Sequence, residues 1–273
     1  MRALRFLFSL GLILAGCAPQ GGTAPDQLDH PPQRILSLAT AATHILLQLE
    51  QPPAAIDEFG RVAPGAHSLA VIGKGSAISW EKLAELQIDC VLLWYYQSAA
   101  AENFRSAGLR VETIAPLRLG SYPELLLQLG HLTGKTASAR ALHAAFLEQL
   151  QKIQVLRVEN PVRVCFELYS PGKIVGDQSY LGDLLRASGG CSINPGRSGL
   201  FSPERIVEAA PQIIFFVEGS ADIAELSARN AYQSTPAVQA QRIHAVPRKL
   251  LIEGLEPIAA ITFLRQKITT PQP

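Results

Sequence analysis

At 273 residues with a formal net charge of +1 and 17% charged residues, the chain carries no basic stripe interleaved with aromatic side chains, which sets aside nucleic-acid binding. Hydrophobic residues make up 48% of it, enough for two modest domains that each bury a proper core.

Arg2 and Arg5 precede an apolar run over residues 6–14 that closes on Ala15-Gly16-Cys17. This is the pattern of a secretory signal, too short for the ~20 residues of a membrane-spanning helix. The tetrad Leu14-Ala15-Gly16-Cys17 resembles a bacterial lipobox, which implies that Cys17 is lipidated and that the protein is held at a membrane on the periplasmic side. Acyl chains contribute about 0.8 kcal/mol per buried methylene, so several on one residue make a firm anchor. Residues 1–17 are therefore read as the signal with its lipobox cysteine, and 18–33, rich in Pro, Gly, Asp and Gln, as a flexible tether. Three thiols remain, and they cannot all pair. Cys90 and Cys165 sit in apolar runs as small buried hydrophobes, and a Cys165–Cys191 bridge in an oxidising compartment stays open.

From residue 35 a short apolar run, 35–39, predicts a strand, with residues 40–43 capping a helix that starts near His44. Further strands are expected at 69–72, 90–94 and 110–114, alternating with helices at 80–86 and 99–107. Alternation of this kind indicates parallel α/β layers, whose ligands bind beyond the carboxyl ends of the strands. A helix at 121–131 leads through Leu132-Thr133-Gly134 into a second at 135–156, where Leu142, Phe146, Leu150, Ile153 and Leu156 recur at three- and four-residue steps. About 20 helical residues rise roughly 30 Å, long enough to join two lobes as a stiff strut. Strands at 163–168, 213–217 and 242–246 and helices at 179–187, 203–209, 234–240 and 256–267 complete the second half.

The two halves repeat one motif. Ile78-Ser79-Trp80-Glu81-Lys82-Leu83-Ala84-Glu85 and Phe201-Ser202-Pro203-Glu204-Arg205-Ile206-Val207-Glu208 each run into an apolar strand, offset by 204 − 81 = 123 residues. An offset this large marks two copies of one supersecondary unit, and a paired surface motif suits a partner that is itself two-fold. Ser79 and Ser202 are candidate helix caps, and a carboxylate in a first helical turn is favoured by the helix dipole.

With these segments in order, together with the Arg34-Ile35-Leu36-Ser37-Leu38-Ala39 opening, Gly108-Leu109-Arg110-Val111 and the Gly189-Gly190 turn, essentially the whole mature chain resembles the substrate-binding lipoproteins of ABC importers for vitamin B12, iron siderophores and haem. The resemblance implies an α/β fold of two lobes, residues 34–120 and 161–273, each a mostly parallel sheet flanked by helices. The lobes are joined by linking helices at 121–160, one of them long and rigid. It implies that no cofactor is resident, that the cargo is a corrinoid or an iron chelate, and that the partners are a permease dimer with its ATPase subunits. Glu81 and Glu204 align with the two glutamates that pair with permease arginines in the family. Exposed pairs of this kind set orientation and approach rate more than affinity. The cleft is expected to be lined by Thr40, Phe59, Lys74, Trp94, Tyr95 and Tyr96 from the first lobe and Tyr169, Tyr180, Phe201 and Glu253 from the second. Trp94-Tyr95-Tyr96 at a strand end suits a large, flat, partly polar ligand, because rings bury ~150–250 Å² each and tyrosine keeps a polar handle. Trp94 stands where the B12-binding relatives carry tryptophan, and Lys74 where many haem-binding relatives carry a tyrosine. His44 replaces the family's usual glutamate.

Two other classes compete. A zinc- or manganese-binding lipoprotein would need converging histidines, and His30, His44, His67, His131, His143 and His244 show no short ligand spacing. An α/β enzyme would need a motif, and no phosphate-loop spacing, Gly-x-Ser-x-Gly or His-Glu-x-x-His is present.

Overall fold

The computed structural model describes residues 30–154 and 160–270. The proposed signal, its Cys17, most of the tether, residues 155–159 and the last three residues lie outside the described part.

Two sheets organise the chain, as the pattern of alternation predicts. The first is wholly parallel, with strands in the order Ala70–Val71, Ala55–Ile56, Ile35–Ser37, Cys90–Trp94, Arg110–Ile114. The second runs Gly199–Leu200, Lys173–Ile174, Val162–Glu167, Ile213–Val217, Ile243–Val246, with Gly190–Ser192 also paired to Val162–Glu167. Its two antiparallel pairings are the ones made by Lys173–Ile174, and the other pairs are parallel.

Each sheet has an outer core of its own. Leu36, Val91, Leu93 and Phe104 fill the first, and Cys165, Ile214, Phe216 and Tyr232 the second. The inner faces share one core through the linking helices: Leu92 and Ile45 on one side and Phe166 and Phe215 on the other belong to the same cluster as Leu125, Leu129 and Phe146. Leu36, Ile45, Leu92 and Phe215 are fully enclosed, each worth about 1.5–3 kcal/mol of transfer free energy.

The linking helices are Tyr122–Leu132 and Thr136–Gln154. They pack close enough that a Cβ on Gly130 would collide with Ala139, while Phe146 leans on Tyr122 at 4.8 Å between ring centroids. At the far end of the strut, Arg265 of helix Pro257–Thr269 donates to the Ile153 carbonyl at 3.3 Å. A second tie bypasses the strut: Arg118 clamps Asp183 of helix Tyr180–Ala187 through Nε at 2.7 Å and Nη2 at 2.5 Å, and the Leu119 N–H donates to the same carboxylate at 3.1 Å.

Two expectations are corrected here, and the open matter of a Cys165–Cys191 bridge is answered. The first helix is Thr40–Gln48, beginning four residues before His44. The cap role expected of residues 40–43 is absent, because the Thr43 hydroxyl turns inward to Ser37 Oγ at 2.9 Å. The helix expected at 234–240 is shorter, Pro236–Gln239, because Pro236 offers no N–H and starts it, and a separate turn of helix, Asn230–Gln233, precedes it. The Cys165–Cys191 bridge does not form. Cys165 Sγ faces the Tyr232 hydroxyl at 3.9 Å and Cys191 Sγ the Pro161 carbonyl at 3.9 Å, and both thiols are free.

Candidate ligand cleft and docking surface

Register places the chemistry. Ser37 pairs with Leu92 and Ile56, so the carboxyl ends of three neighbouring strands deliver Thr40, Asp57 and Trp94-Tyr95-Tyr96 to one edge of the first sheet. In the second sheet Phe216 pairs with Glu167 and Val217 with Val246, which brings Tyr169, Glu218 and Arg248 to the corresponding edge.

On the first side Tyr95 and Tyr96 are 48% and 66% exposed, whereas Trp94 is 8% exposed. Trp94 therefore stands behind the surface: its ring stacks with Tyr96 at 6.4 Å and 11°, and Tyr96 meets Tyr95 edge-on at 5.3 Å. The Trp94 N–H is held by Gln97 Oε1 at 2.9 Å, which fixes the turn that projects both tyrosines. Phe59 is 56% exposed, with the Lys74 ammonium 5.7 Å from its ring and Glu58 3.6 Å from that ammonium. Thr40 and Tyr180, both expected in the cleft, are buried at 7% and 2%, so the first turn of each helix supports the wall from inside.

On the second side Tyr169 is exposed beneath the Arg248 guanidinium at 5.6 Å, and Arg248 Nε donates to the Glu218 carbonyl at 2.9 Å. Phe201 is half-buried under Arg205 at 3.8 Å. Glu253 has exposed surface yet is crowded enough that burial raises its carboxyl, which fits a recess open to water and hemmed by protein. Burial, and after it the Glu253 charge, push the Tyr96 phenol up.

Two residues hold this edge in shape: Asp57, expected only as part of a cleft-lining loop at 57–61, and Glu167, which the sequence reading passed over. Asp57, 1% exposed, accepts the Gly60 N–H at 2.9 Å and the Gly75 N–H at 3.0 Å, tying the turn that carries Phe59 to the hairpin that carries Lys74. Burial raises its carboxyl in spite of those bonds. The readable signal was an Asp three residues before a Gly, the pattern of a capped turn. Glu167, 3% exposed, accepts from Gly172 N–H at 2.7 Å, Arg229 at 2.6 Å and the Tyr232 hydroxyl at 2.5 Å, anchoring the loop that carries Tyr169. No local pattern marks that cluster.

The repeated motif is built alike in both copies. Glu81 and Glu204 are exposed in the first turns of helices Trp80–Glu85 and Pro203–Ala209. Ser79 Oγ accepts the Lys82 N–H at 3.2 Å and Ser202 Oγ the Arg205 N–H at 3.4 Å, so both expected caps are made at the same step. The Ser202 hydroxyl also holds the Glu204 carboxyl below its ordinary value. Among the described residues no three His, Cys, Asp or Glu side chains gather as a metal centre, and no helix is long and apolar enough to cross a membrane.

The two-lobed α/β frame carries exposed aromatic and polar side chains at strand carboxyl ends, and the sequence comparison supplies the class. Residues 35–250 match the family described as Periplasmic binding protein, and the chain belongs to that family. It is an extracytoplasmic binding protein and not an enzyme. No curated protein sequence matches it. Among solved structures it is similar to the periplasmic vitamin B12 binding protein BtuF of Vibrio cholerae, at 22% identity and TM-score 0.73 over 87% of this chain and 97% of that one. It is also similar to the periplasmic heme binding protein HutB of Vibrio cholerae, at 22% identity and TM-score 0.75 over 87% and 99%. An ABC transporter substrate-binding protein from Listeria monocytogenes matches at 18% identity and TM-score 0.75 over 88% and 99%. At these identities the likeness shows the fold.

Proposed function

We propose that this protein captures a large metal chelate, a corrinoid or a ferric siderophore, between its lobes and hands it to an ABC permease dimer served by ATPase subunits. The observation that carries the reading is exposed aromatic rings just past strand carboxyl ends in both sheets: Tyr95 and Tyr96 on one lobe and Tyr169 on the other. Rings that keep about half or more of their surface in water can bury that area against a large flat ligand. The B12 and heme named for the similar BtuF and HutB structures are cargo of this chemical class. Fluorescence titration with cyanocobalamin, a panel of ferric siderophores, hemin and zinc ion tests it. One chelate is expected to saturate at one per chain, and stoichiometric zinc uptake with no response to any chelate overturns the reading.

The same reading places the protein on a membrane through Cys17. Cys17→Ser is expected to release it from the membrane fraction into the soluble periplasmic extract. Retention of that variant in washed membranes would remove the lipid anchor from the account.

A further inference from the structure

A recess of about 470 Å³ opens beside the linking helices. Its walls come from three parts of the chain: His44 from the first lobe, Leu142, Phe146 and Gln149 from the strut, and Glu256 and Ile258 at the start of the last helix. None of the residues assigned to the cleft or to docking lines it. The volume falls within the ~300–1,000 Å³ of small-molecule sites, and the lining has their usual composition, apolar with a few converging polar groups.

His44 makes the recess more than a packing gap. It is 8% exposed, and its Nδ1 has no hydrogen-bond partner among the described residues. An unpaired buried polar atom costs about 1–3 kcal/mol, a penalty absent at the neighbouring Ala41, Ala42, Ile45 and Leu46 of the same helix. Burial lowers the imidazole below its ordinary value, with Glu256 acting against the shift, so the ring is neutral at neutral pH. A neutral imidazole has one donor and one acceptor nitrogen; Nδ1 is closed to solvent, which leaves Nε2 for a hydroxyl in the recess. The Glu256 carboxylate is paired with the Lys249 ammonium at 3.7 Å, so the recess favours a neutral occupant over an ion of either sign.

We propose that this recess is a second ligand site, separate from the cleft, for a small neutral molecule with an apolar body lying on Leu142 and Phe146 and one hydroxyl bonded to His44. Because its walls belong to both lobes and to the strut, an occupant braces one relative arrangement of the lobes.

Amide NMR titration of the cargo-free protein with p-cresol and with toluene tests this whatever the cleft carries. p-Cresol is expected to saturate a single site, with shifts centred on residues 142–149 and 255–259, and toluene to bind roughly tenfold more weakly, the worth of one hydrogen bond. His44→Phe, close in volume, is expected to lower p-cresol to the affinity of toluene. Ala145→Trp, at an exposed position on the rim, is expected to abolish both while leaving the fold intact. The proposal is overturned if neither probe saturates at these residues, if wild-type protein binds the two equally, or if Ala145→Trp leaves p-cresol affinity unchanged.

Discussion

Reversing the two charges that the family resemblance assigns to permease docking, Glu81→Lys together with Glu204→Lys, is expected to abolish uptake of cargo by whole cells while the purified variant binds that cargo with unchanged affinity. Both carboxylates are exposed on capped first turns and neither touches the cleft, so their loss leaves the ligand walls in place. Exposed ion pairs add little affinity, whereas like charges placed face to face cost far more and misdirect the encounter. Neutralising the pair, Glu81→Gln with Glu204→Gln, is therefore expected to slow uptake modestly, and the double reversal to reduce it by more than roughly tenfold. Either single reversal should fall between the two. The check is uptake of labelled cargo alongside a binding titration of the same variants. Wild-type uptake by the double lysine variant would end the docking role and leave Glu81 and Glu204 as surface residues in capped helices.

Arg229→Leu is expected to be the most destabilising change at the polar cluster of the second lobe. The guanidinium reaches Glu167 at 2.6 Å and Glu225 at 2.6 Å, and the Glu167 side chain is 4% exposed. Removing one partner of a buried pair leaves an uncompensated charge at a cost of ~3–5 kcal/mol. Since the Arg229 side chain keeps 22% of its surface in water, the lower end applies, about 3 kcal/mol. In a chain of this size that lowers the melting temperature by roughly 6–12 °C. Glu167→Leu with Arg229→Leu should recover most of the loss, because no charge is then left buried, although the Tyr232 hydroxyl and the Gly172 N–H lose their acceptor. Thermal denaturation of the single and double variants reads the difference. A double variant no more stable than Arg229→Leu alone would show that the two do not act as a pair.

What could be read from residues was whatever is written locally. The strands Cys90–Trp94, Arg110–Ile114 and Ile213–Val217 and the helix Pro203–Ala209 fall where apolar runs and caps put them. The repeated Ser-x-Glu step also folds alike twice, because its cap is closed by residues three apart. Two-residue strands such as Ala55–Ile56 and Gly199–Leu200 carry no pattern of their own and form only because a neighbouring strand offers hydrogen bonds. The start of the helix at Thr40 was hidden because threonines at 40 and 43 suit a cap as well as an inward bond, and the Thr43 hydroxyl turns to Ser37 instead of capping. Long-range polar clusters were beyond reach for the same reason: Glu167 meets Arg229 and Tyr232 across 62 and 65 residues of sequence. At the cleft, the run Trp94-Tyr95-Tyr96 identified the right strand end but not which rings face outward. Trp94 ends a strand buried at every position, and Tyr95 and Tyr96 stand on the exposed turn that follows it.

The most direct test of cargo held between two aromatic walls is a binding titration of the triple variant Tyr95→Ala, Tyr96→Ala, Tyr169→Ala with the chelate that saturates the wild-type protein. Base–aromatic stacking offers a scale of ~1–3 kcal/mol per ring, so removing three exposed rings is expected to weaken binding by at least a hundredfold with the melting temperature little changed. A triple variant that stays folded and binds the same chelate as tightly as the wild type would contradict the account.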